Sequence, residues 1–85
     1  MVNYNLCYVK DSDQIILKKI GERLQQTRVQ KNLTQKELAF MVDVEISQIT
    51  RIERGVINTS ILSLLRITDV LEISISDFLK DLEKS

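Results

Sequence analysis

An 85-residue chain is long enough for one small domain and too short for a second independent core. A hydrophobic fraction of 44% and a charged fraction of 28% are those of a globular chain, and twelve Lys and Arg offset twelve Asp and Glu, so overall charge points neither toward nor away from a polyanionic partner. His is absent and Cys7 stands alone, which removes the commonest acid–base catalyst, the commonest metal ligand, an internal disulfide and a Cys-based zinc site.

Residues 2–8 place Val2, Tyr4, Leu6 and Tyr8 on alternate positions. That period of two reads either as a strand-like arm in need of a partner, such as the same arm of a second subunit, or as a poorly ordered terminus. Asn3, Asn5 and Lys10 interrupt the stretch, so it does not read as a signal peptide. No apolar run in the chain approaches the ~20 residues of a bilayer span. The expectation is a soluble, cytoplasmic domain without a cofactor.

With no Pro and only two Gly, the remainder should be mostly helical. Ser12 or Asp13 caps a first helix over roughly residues 14–30, with Ile16, Ile20 and Leu24 on one stripe; Lys31 and Asn32 end it, Asn tolerating a left-handed conformation better than most residues. Thr34-Gln35-Lys36-Glu37 fits a capping box, with Leu33 and Leu38 placed as its hydrophobic staple, and opens a second helix to about Val42. Asp43-Val44-Glu45 interrupts before a third helix, Ile46 to Arg54, which Gly55 terminates. Two helices joined by about three residues make a helix-turn-helix candidate. Thr59 or Ser60 starts a fourth helix carrying Ile61, Leu64, Leu65, Thr68 and Leu71, and Ser74 with Asp77 opens a fifth through Phe78, Leu79 and Leu82.

Charge is unevenly spread along this framework. Residues 18–55 hold eight Lys and Arg against five Asp and Glu, a net of +3, while the segments before and after are net acidic. A positive middle segment suits a phosphate backbone, because counterion release depends on local charge; ordinary solvated helix faces give the same count.

Residues 20–79, about 70% of the chain, resemble the lambda-repressor-like, Cro/C1-type (Xre family) helix-turn-helix domains. The resemblance rests on the Leu-Thr-Gln-x-x-Leu-Ala run from Leu33 to Ala39, the Ile-x-x-Ile-Glu-Arg-Gly run from Ile49 to Gly55, and their sixteen-residue offset, with Leu64 and Leu71 following in register. It implies an all-α, compact five-helix lambda-repressor-like bundle over residues 14–82, preceded by an arm of residues 1–13. Ala39 lets the second helix of the motif approach closely, and Val44, Ile49 and Ile52 face inward with Leu38 and Leu64. The resemblance also implies an Arg28–Glu53 ion pair tethering the first helix behind the motif, a constraint on geometry more than a source of stability. Asp43 and Glu72 stand where the family usually has Gly, and Thr59 where it often has Pro. Glu72 should then carry about 1 kcal/mol of left-handed strain, or its turn should differ.

In such a domain the third helix enters the major groove by its N-terminal end and the second crosses the backbone. The residues this places at the bases are Glu45, Ile46, Ser47 and Gln48, then Thr50 and Arg51. Gln48 suits adenine N6 and N7, Arg51 suits guanine O6 and N7, and Ile46 suits a thymine methyl; Glu45 either accepts from cytosine N4 or repels phosphate. The family's phosphate-contacting Gln corresponds to Gln35. Lys36, Arg54 and Asn58 are further phosphate candidates, followed by Arg23 and Lys31.

The implied function is a transcriptional regulator, a repressor, that binds a palindromic double-stranded operator as a homodimer. The dimer surface is sought in Ile73, Ile75, Phe78, Leu79 and Leu82, or in the N-terminal arm. Two other readings share the fold: an antitoxin or similar module whose main partner is a toxin or other protein, and a restriction–modification controller protein. Enzyme chemistry is disfavoured by the absence of His, of a Gly-rich phosphate loop, of a strained Gly-flanked nucleophile and of a metal-ligand set.

Overall fold

The computed structural model describes residues 11–82, so the expected strand-like arm of residues 2–8 lies outside the described residues. Five helices follow in order: α1 (Asp11–Gln30), α2 (Gln35–Val42), α3 (Ile46–Arg54), α4 (Ile61–Leu71) and α5 (Ile75–Phe78). Among the described residues there is no strand, and no helix is long and apolar enough to cross a membrane. α1 lies along α3, α2 packs on α3 and α4, and α4 meets α5. Leu24, Leu38, Val42, Ile49, Ile52, Leu64, Ile67, Leu71 and Phe78 form one core, which all five helices feed. This is the lambda-repressor-like arrangement.

The helix starts follow the chain's own hydroxyls. Thr34 accepts from the Glu37 amide at 3.0 Å while the Glu37 carboxylate accepts from the Thr34 amide at 2.8 Å, so the capping box is complete. Ser60, not Thr59, caps α4, accepting from the Ser63 amide at 3.1 Å, and Ser74 does the same for Asp77 at the start of α5. α1 begins at Asp11, three residues earlier than its sequence pattern suggests. Asp13 thereby falls in the first turn, where its carboxylate meets the positive end of the helix. Of its expected stripe, Leu24 is fully buried, Ile20 is half-buried against the core, and Ile16 is half-buried nearer the N-terminal end.

The stops of the first four helices share one device. Asn32, Asp43, Gly55 and Glu72 are all left-handed, with φ between 61° and 73°. The residue after each one returns its amide to a carbonyl five positions back: Leu33 to Arg28, Val44 to Ala39, Val56 to Arg51 and Ile73 to Thr68, each at 3.0–3.1 Å. The residue that follows the left-handed position is apolar every time, and Leu33, Val44 and Ile73 rest on the core. Glu72 therefore makes the usual turn despite its side chain, and the strain expected there is present.

The chain departs from expectation at its C-terminal end. α5 stops at Phe78 instead of running to Leu82, and turns follow, with Asp81 left-handed at φ 63°. Arg23 of α1 caps this end. Its Nη1 donates to the Phe78 carbonyl at 2.7 Å, the acceptor that a continuing helix would offer to the Leu82 amide. Phe78 and Leu82 are buried, while Ile73, Ile75 and Leu79 pack against the core and stay half-exposed. The large apolar side chains left exposed lie elsewhere, including Phe40 and Met41 on α2 and Ile61, Leu62 and Leu65 on α4.

Candidate nucleic-acid interface

α3 has two unlike faces. Ile49 and Ile52 are buried, while Ser47, Arg51 and Arg54, spaced four and then three residues apart, form an exposed line on the other side. Glu45 stands at the N-cap position with no side-chain capping bond, leaving the first turn of α3 open toward solvent. Ile46 is 46% exposed beside it. Gln48 and Thr50 sit at the two margins of the exposed face and are half-buried. Of the six residues expected at the bases, four thus point outward and two border them.

The opening of α2 lies against the same helix. Lys36 is exposed, whereas the Gln35 side chain turns inward to α3: its Nε2 donates to Glu53 Oε1 at 2.9 Å, and its Oε1 accepts from Thr50 Oγ1 at 3.0 Å. Arg54 and Asn58, at and beyond the other end of α3, are exposed. Lys31 is exposed after α1, and Arg23 is half-buried with one nitrogen donating to the end of α5.

Beneath the surface, three helices converge on one carboxylate. Arg28 Nε donates to Glu53 Oε2 at 2.6 Å and Arg28 Nη2 to Glu53 Oε1 at 3.0 Å, a two-pronged pair whose side chains are 10% and 4% exposed. Arg28 Nη1 also donates to the Leu33 carbonyl at 2.7 Å, which ties the loop before α2 into the same cluster. The hydrogen bond to Glu53 raises the Arg28 pKa above the ordinary arginine value, with burial acting against the shift. The guanidinium therefore stays charged wherever the protein is folded.

Sequence reasoning passed over the residue that lets α1 reach this cluster. Gly21 lies mid-helix, and a Cβ there would fall 2.4 Å from the Ile52 carbonyl oxygen and 2.5 Å from that of Glu53. The signal was available as an isolated Gly inside a helical pattern, which usually has a close-approach reason. The inward turn of Gln35 had no such signal.

The helix-turn-helix family model HTH_3 matches residues 24–78, and the chain belongs to that family. Among solved structures, it is similar to the clp gene regulator ClgR from Corynebacterium glutamicum, with a TM-score of 0.75 and 27% identity over 79% of this chain and 71% of that one. The restriction–modification controller protein C.AhdI from Aeromonas hydrophila gives a TM-score of 0.70 and 35% identity over 74% and 94% of the respective chains. The controller protein C.Esp1396I, solved as a tetramer with its natural 35-base-pair operator, gives 0.71 and 33% over 81% and 91%. No curated protein is matched by sequence. The chain thus has the fold of transcriptional regulators of this family.

Proposed function

We propose that this protein is a sequence-specific, double-stranded DNA-binding repressor of the cytoplasm, acting as a homodimer on a palindromic operator. The observation that carries the reading is the exposed line of Ser47, Arg51 and Arg54 opposite the buried Ile49 and Ile52. α3 lies with that line in the major groove and its N-terminal end leading. Glu45, Ile46, Ser47 and Gln48 meet base edges with Arg51, and Thr50 borders them. Lys36, Arg54 and Asn58 hold phosphates on either side, and Gln35 lies where α2 approaches the backbone. A second copy supplies the second half-site, since one short helix spans too few base pairs for useful specificity. The exposed Ile61, Leu62 and Leu65 on α4 offer the apolar area for that pairing.

A restriction–modification controller is the second reading, and a specific observation favours it: C.AhdI and C.Esp1396I are 33–35% identical and are covered over more than nine-tenths of their length.

The test is selection of bound duplexes from a random pool, repeated with Gln48→Ala and Arg51→Ala. A palindromic motif should emerge, and each substitution should relax its half-site by about 1–3 kcal/mol per lost contact. Absence of binding to any duplex at low ionic strength would rule the reading out.

A further inference from the structure

We propose that Gln35 is a positioning residue that sets how α3 is turned about its own axis, and hence which base pairs it prefers, in addition to any contact it makes with the backbone. This rests on the reading of α3 as the base-facing helix. The side chain of Gln35 reaches α3 at two points three residues apart, Thr50 through Oε1 at 3.0 Å and Glu53 through Nε2 at 2.9 Å. Two anchors one helical turn apart resist rotation in a way that a single anchor cannot.

The orientation of the amide is dictated from below. The Glu53 carboxylate only accepts hydrogen bonds, and it is held by Arg28 at 2.6 and 3.0 Å. Gln35 must therefore present its NH2 group to Glu53, which leaves its oxygen facing Thr50. Thr50 has one proton to give and shares it between that oxygen and the Ile46 carbonyl at 3.1 Å. A chain of polarity thus runs from Arg28 on α1 through Glu53 and Gln35 to the margin of the exposed face. Gln is suited to this position because it both donates and accepts; a Glu at 35 would set one carboxylate against another.

The alternative is that Gln35 releases both partners and serves only as a phosphate clamp. The two differ in what substitution does. Gln35→Met keeps the length and volume of the side chain but removes both bonds, and Thr50→Val cuts the same link from α3. Selection from a random duplex pool is run on the full chain, the two single variants, the double variant and Thr50→Ser. Gln35→Met and Thr50→Val should each lower the ratio between preferred and next-best half-sites by about three- to tenfold, at the same base pairs. The double variant should lose no more than either single one, and Thr50→Ser, which keeps the hydroxyl, should return the original motif. A Gln35→Met variant that weakens every duplex by one common factor, or leaves the motif unchanged, overturns the proposal. If Gln35→Met does not fold, Gln35→Ala, which also removes both bonds, decides by the same criterion. Failure of the unsubstituted chain to select any motif would instead remove the function reading, and this inference with it.

Discussion

At the scale of single residues, two positions carry more than their chemistry advertises. Gly21 is required by a backbone-to-backbone approach: the atoms a Cβ would strike are the Ile52 and Glu53 carbonyl oxygens at 2.4 and 2.5 Å, which cannot rotate aside. Gly21→Ala should therefore destabilise by about 2–3 kcal/mol, despite the higher helix propensity of Ala, and thermal unfolding checks this as a fall in Tm of about 10 °C or more. Arg28 is the second. Removing it leaves the Glu53 carboxylate, 4% exposed, with Gln35 as its one remaining side-chain donor among the described residues. Arg28→Ala should cost about 3–5 kcal/mol in urea unfolding, whereas replacing both partners, as in Arg28→Met with Glu53→Leu, should cost less, because no charge is then left buried. A raised Arg28 pKa means that the pair's contribution is present below the ordinary arginine range and is lost only as pH rises above it. Unfolding measured across neutral and moderately alkaline pH should show no loss from this pair.

Between the residue and the fold, the helix ends explain how a chain with two Gly and no Pro makes sharp turns. Asn32, Asp43 and Glu72 take left-handed backbone positions beside Gly55, each followed by an amide that closes the turn. Asn and Asp tolerate that conformation through local hydrogen bonding, and Glu has no such compensation. Glu72→Gly should accordingly stabilise the protein by about 0.5–1 kcal/mol, the relief of strain outweighing the added freedom of the unfolded chain, with chemical denaturation as the measure. The capping signals were legible in sequence because they are local: Thr34 with Glu37, and Ser74 with Asp77, lie three residues apart and find each other within one turn. The end of α5 was not legible. The carbonyl exposed there is capped by Arg23, fifty-five residues upstream of Phe78.

For the whole molecule, the disposition of apolar surface decides the expected mode of association. Of the C-terminal apolar residues that suggested a dimer face from sequence, Phe78 and Leu82 are drawn into the core, and a more exposed apolar set lies on α4, where Ile61, Leu62 and Leu65 are 64%, 58% and 42% exposed. In the proposed homodimer this face meets its counterpart. Leu62→Glu should leave the unfolding midpoint nearly unchanged, since Leu62 contributes little to the core, but convert dimer to monomer in sedimentation velocity. It should also weaken operator binding by about tenfold or more, through loss of the second half-site contact. A dimer that persists in this variant would place the interface elsewhere.

What the amino-acid sequence determined by itself was whatever depends on neighbours along the chain: five helices, the caps at Thr34 and Ser74, the motif from Leu33 to Gly55, and the outward placement of Ser47 and Arg51 implied by helical period. Only the tertiary structure decided how polar side chains were shared out among helices. Gln35 belongs to α3 as much as to α2, Arg23 to α5, and the space beside Gly21 to two carbonyls of α3. The physical reason is one of range. Capping and periodicity act over three or four residues and leave a pattern in sequence, while a buried carboxylate takes whichever donors the fold brings within about 3 Å, and those arrive from any distance along the chain.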